Sequence, residues 1–140
     1  MRLDLYQAET ARIAAAQAAL LVQARDILSQ GRALNALEQS GVLHALQVLI
    51  KNAIGKSKQV LKARNEPVPV SAYDAFEVMV RCGEIEQVNL TAWNAVIGLR
   101  NRIVHDYMNI DMSKVIEFVR SGKEKFVTEF LLKAMPGRES

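Results

Sequence analysis

The chain has 140 residues, half of them hydrophobic and 24% charged, with a formal net charge of +3 and a pI near 9.2. That suffices for the apolar core of one ordinary domain, and the mild basicity permits an anionic partner without requiring one. A single cysteine, Cys82, excludes an internal disulfide framework and suits a reducing cytoplasm; no signal peptide is expected, and no apolar run approaches the roughly 18 residues of a membrane span.

The apolar spacing predicts a first helix from about Leu3 to Gln30. Tyr6, Ile13, Leu20 and Ile27 recur at heptad spacing, with Ala24 and Leu28 filling the stripe. Gly31 closes it, because glycine tolerates a left-handed cap. A second long helix is expected from about Ala33 to Ala63. Its buried face runs through Val42, Leu46, Leu49, Ala53, Ser57, Val60 and Leu61. Gly41 and Gly55 interrupt it at about 1 kcal/mol each relative to alanine, and are read as permitting close helix packing. "RNEPVPV" follows as an extended connection, since Pro67 and Pro69 disfavour helix before them. Ser71 then caps a short helix, "AYDAFEVMVRC", with Asp74 in its first turn and Gly83 as its stop.

Asn89 or Thr91 opens the next helix, "AWNAVIGLRNRIVH", with Ala92, Ala95, Val96, Leu99 and Ile103 on one face. Asp111 caps a last helix through Val115, Val119, Phe126, Phe130 and Leu131, weakened in its middle by Gly122. No stretch alternates as a strand would. The expected fold is all-α, an antiparallel bundle of about five helices, with one domain over 1–135 and a short tail over 136–140.

Most of the polar side chains have ordinary readings. Lys51, Lys58 and Lys62 share one helical face, with Lys56 and Arg64 nearby and no acidic residue between. They read either as a solvated face whose cations suit the helix C-terminus or as a stripe that tracks phosphates. His44 lacks a second ligand at metal spacing, and Cys82 reads as an inert thiol. No metal-ligand set, glycine-rich phosphate loop or nucleophile elbow is present.

"LRNRIVHDYMNI", positions 99–110, is denser in chemistry. Arg100 and Tyr107 lie two turns apart on nearly one helical face, while His105 lies about 140° round from Arg100 on an ideal helix. Spacing alone fits a polar C-terminal turn, with Arg102 and Asp106 as a surface i, i+4 pair.

The segment "RNRIVHDY" also resembles the R-N-x-x-x-H-x-Y signature of the HEPN superfamily, and the chain is similar to the HepT toxins. Arg100, Asn101, His105 and Tyr107 stand at each fixed position, in a chain of similar length and helical layout. Arg102 and Asp106 occupy positions that the signature leaves free. The resemblance implies an obligate homodimer that cleaves RNA, with transfer RNA as a candidate substrate, without metal or cofactor. Arg100, Asn101 and His105 would be catalytic. Arg102, Lys51, Lys58 and Lys62 are candidate RNA contacts. It further implies a type VII toxin–antitoxin pair, in which a minimal nucleotidyltransferase (MNT) antitoxin transfers AMP to Tyr107. The alternatives are a non-catalytic helical substrate-binding subunit of a nucleotidyltransferase pair and a generic helical adaptor.

Overall fold

The computed structural model describes residues 2–136, so the expected tail lies, beyond Pro136, outside the described residues. Six α-helices form the fold: α1 Leu3–Ser29, α2 Ala36–Ala63, α3 Ala72–Arg81, α4 Leu90–His105, α5 Met112–Arg120 and α6 Lys125–Leu132. Two short 3-10 turns, Gln87–Asn89 and Tyr107–Asn109, flank α4. No strand occurs among the described residues. The all-α bundle is as the periodicity predicts.

The two long helices form the hairpin that the sequence implies. Gln30 caps α1, and Gly31 takes a left-handed φ of +85°. The buried stripe of α1 differs by one position from the expected heptad: Leu20 is exposed, while Thr10, Ala14, Leu21 and Ala24 face inward. Helix α2 starts three residues later than expected, at a capping box. The Asn35 side chain accepts from the Glu38 N–H, and the Glu38 carboxylate accepts from the Asn35 N–H. Two of the otherwise orphaned donors of the first turn are thereby satisfied.

Every residue expected on the buried face of α2 is buried. This helix is the axis of the molecule and packs against α1, α3, α4 and α6. Gly41 and Gly55 play no part in that packing. A side chain at either would meet nothing within 4 Å, so they do not mediate close helix approach.

Ser71 caps α3 as expected, accepting from the Asp74 N–H at 3.3 Å. Trp93 of α4 ties the second half together. It stacks on Phe76 of α3 at 4.4 Å and meets Phe126 and Phe130 of α6 edge-on at 4.9 and 5.2 Å. Aromatic pairs of this kind add about 0.5–1.5 kcal/mol each beyond their burial. The inward face of α4 is Trp93, Val96, Ile97 and Ile103; Ala92 and Ala95, expected to be buried, are exposed. The large indole wins the core position and turns the helix.

The last expected helix is two. Gly122 adopts φ +71° between α5 and α6, and the chain turns back there. Arg25 of α1 holds this corner, donating to Val119 O at 2.6 Å and to the buried Glu124 carboxylate at 3.1 Å.

Candidate active site

The motif occupies the C-terminal turns of α4 and the 3-10 turn after it. Helix α4 ends at His105, because Asp106 leaves helical geometry at φ −143°, ψ 39°. The Asp106 carboxylate accepts from the Asn109 side chain at 2.7 Å and braces this turn. The expected Arg102–Asp106 ion pair is absent among the described residues, because Asp106 has swung out of the helix toward Asn109. Asp111 then starts α5, accepting from the Ser113 N–H at 3.1 Å and the Ser113 hydroxyl at 2.6 Å. Those bonds hold its carboxyl below the usual carboxylate range.

The motif side chains face three different surroundings. Arg100 and Asn101 are half-buried. Arg100 Nη1 donates to Asn101 Oδ1 at 3.4 Å, and Arg100 Nε is buried with no partner among the described residues. Both line a depression of about 370 Å³ together with Lys51 and Lys58 of α2, Ser71 and Tyr73. The structure thus brings two of the three candidate lysines beside the motif arginine. Lys62 is exposed and lies outside this depression.

Arg102 lines a separate groove of about 440 Å³ between α4 and α5, with Asp106, Asp111 and Lys114 on its rim and Leu99 and Phe118 among its apolar walls. Tyr107 is 48% exposed. It borders a third depression, against Gln39, Ser40 and Leu43 of α2. His105 is exposed at the helix end and lines none of these three hollows. Within one copy, therefore, the guanidinium and imidazole of the motif point into different spaces.

Lys56 departs most from expectation. It does not belong to a solvated cationic face. Its ammonium is buried and donates to the backbone carbonyls of Phe130 (2.8 Å), Leu131 (3.4 Å) and Lys133. The signal was present in the spacing: Lys56 stands three residues after Ala53 and four before Val60, inside the apolar stripe of α2. Tyr73, which lines the depression around Arg100, carries no signal in the sequence, because its approach to Gly98 depends on how α3 packs against α4. His44 is exposed, and no group of three or more His, Cys, Asp or Glu side chains able to hold a metal occurs among the described residues.

The model of the family "Ribonuclease HepT-like" matches residues 14–131, and the chain belongs to that family. Two solved structures share the fold. One is a toxin–antitoxin complex with AMP-PNP, at 19% identity and a TM-score of 0.64, covering 85% of this chain and 97% of the other. The second is the tri-AMPylated HEPN toxin of Shewanella oneidensis in complex with its MNT antitoxin. It shows 22% identity, a TM-score of 0.64, and coverage of 85% and 93%. No curated protein matches the chain.

Proposed function

We propose that the chain is a metal-independent endoribonuclease toxin, active as a homodimer and neutralised by a cognate minimal nucleotidyltransferase. The observation that carries this reading is the intact set Arg100, Asn101, His105 and Tyr107 at an accessible helix end, in a chain of the HepT-like ribonuclease family. RNA, with transfer RNA as one candidate, is the substrate.

The residue types suit cyclising cleavage. The RNA 2′-hydroxyl attacks the adjacent phosphorus, its oxygen bonds to phosphorus, and the P–O5′ bond breaks. An imidazole takes the hydroxyl proton, and another supplies a proton to the departing 5′ oxygen. Arg100 braces the negative charge that builds on the phosphoryl oxygens, and Asn101, beside it, orients the guanidinium. One copy offers one motif imidazole, aimed away from its own Arg100, so two copies in a shared cleft complete the set. Arg102 contributes an RNA contact from the neighbouring groove.

Tyr107 is the AMP acceptor in this reading. Its ring is half-exposed and its hydroxyl donates to no group among the described residues, which suits capture by another protein. The phenolic oxygen attacks the α-phosphorus of ATP, pyrophosphate leaves, and a phosphodiester remains. The added negative charge at the motif then repels RNA.

One experiment tests the chain of steps. The purified protein is expected to cleave RNA in EDTA, and His105→Ala to lose about 10²–10⁴-fold in rate while remaining helical. Incubation with a cognate minimal nucleotidyltransferase, ATP and magnesium should add AMP to the Tyr107 peptide, read by mass, and silence cleavage. Wild-type cleavage rates in His105→Ala would overturn the catalytic assignment. Neutralisation of Tyr107→Phe as complete as that of wild type would overturn the switch.

A further inference from the structure

We infer that the depression around Arg100 is a subsite for one nucleotide of single-stranded RNA, with its phosphate held by Lys51, Lys58 and Arg100 and its base stacked on Tyr73. This rests on the ribonuclease reading and adds a specificity element to the same site.

Four observations carry it. First, the three cations converge from two helices on one hollow, and no carboxylate lines it. The α4–α5 groove differs, since Arg102 and Lys114 there face Asp106 and Asp111. The Arg100 hollow thus presents positive charge with no carboxylate in its lining, and that is what a phosphate seeks.

Second, the charges are largely uncommitted. Arg100 makes a single long bond, to Asn101, and neither lysine is in an ion pair among the described residues. Lys58 Nζ donates to Val70 O at 2.7 Å, which holds the proline-containing connection against α2 and leaves two of its three donors for a ligand.

Third, Tyr73 stands at the rim, 39% exposed. Its hydroxyl lies 3.6 Å from where a Cβ on Gly98 would be. The ring thus reaches across to α4, next to the motif. An aromatic face beside paired cations is the usual apparatus for unpaired bases, because every base has a π-face and every nucleotide a phosphate.

Fourth, the volume of about 370 Å³ falls at the small end of ligand clefts, about 300–1,000 Å³. It suits one nucleotide. Lys62, on the same helical face but outside the hollow, is excluded from the subsite.

The test uses the full-length protein and a short, fluorescein-labelled 2′-O-methyl RNA, which cannot be cleaved because its nucleophile is blocked. Lys51→Gln and Lys58→Gln should each weaken binding and reduce the slope of log K against log salt by about 0.7. Tyr73→Leu should weaken binding by about tenfold with the salt slope unchanged, because stacking releases no counterion. Lys123→Gln removes the same charge from the α5–α6 turn and should match wild type. Wild-type binding by Lys51→Gln and Tyr73→Leu, or an equal loss in Lys123→Gln, overturns the subsite. So does equal Tyr73 dependence with a duplexed probe. Parallel cleavage assays separate the two readings. An inactive wild type with the expected binding pattern retains the subsite and overturns the ribonuclease. An active wild type with unaffected variants does the reverse.

Discussion

Lys56 carries an ammonium group into the core at 1% exposure, where it caps the end of α6. Carbonyls at a helix end need partners, and here they get one charged donor that also lies 5.2 Å from the Phe130 ring centre. Burial pushes this lysine down from 10.5 to about 8; Lys133 pushes the same way and Glu84 opposes. Between about 8 and 10.5 the unfolded chain holds the proton and the folded chain releases it. The contribution of Lys56 to stability therefore grows as pH rises through that window and is lost as pH falls through about 8. Denaturant unfolding of wild type and Lys56→Met from pH 7 to 10 should show wild type gaining on the variant, by no more than about 3 kcal/mol. A difference that stays flat or shrinks with pH would contradict the assignment.

Among the helices, the break between α5 and α6 decides how the C-terminal third returns to the bundle. Gly122 permits it, since its φ is left-handed and a Cβ would stand 3.1 Å from Lys125 Cε. Arg25 and Glu124 then lock it, bridging α1 to the turn with side chains 20% and 5% exposed. Glu124→Ala leaves Arg25 facing Val119 O with its charge uncompensated. Loss of one partner of a buried pair costs about 3–5 kcal/mol. A urea midpoint shift of that size with an unchanged slope is the expected result. A shift worth less than about 0.5 kcal/mol would place the lock elsewhere, for example in the Trp93 aromatic cluster.

For the whole molecule, the division of the motif is the informative feature. Arg100 faces the α2–α3 side, Arg102 the α4–α5 groove and His105 solvent. Meanwhile α4 leaves Ala92, Ala95 and Val104 uncovered. A twofold pairing through the C-terminal end of α4 would cover Val104, one turn on from Arg100, and bring imidazoles and guanidiniums together. Light scattering at micromolar concentration should report a dimer, whose interface buries more than about 1,000 Å². A stable monomer that still cleaves RNA would mean that one copy suffices.

Much of this molecule is legible in its sequence. The buried face of α2, the Ser71 cap, the all-α class and the eight-residue motif all rest on local signals: apolar period, capping chemistry and residue spacing. Asn35 with Glu38 is equally readable as a capping box, and it sets the start of α2 three residues beyond the apolar spacing. Tertiary structure decided the rest. Trp93 competes for the core and turns Ala92 and Ala95 outward, and Gly122 bends a pattern that periodicity reads as continuous. Lys56 finds carbonyl partners more than seventy residues away. The hollow that joins Lys51, Lys58, Tyr73 and Arg100 exists only because α2, α3 and α4 pack together. Spacing along one helix sets which residues share a face, but which faces meet is set by the competition of all side chains for one core.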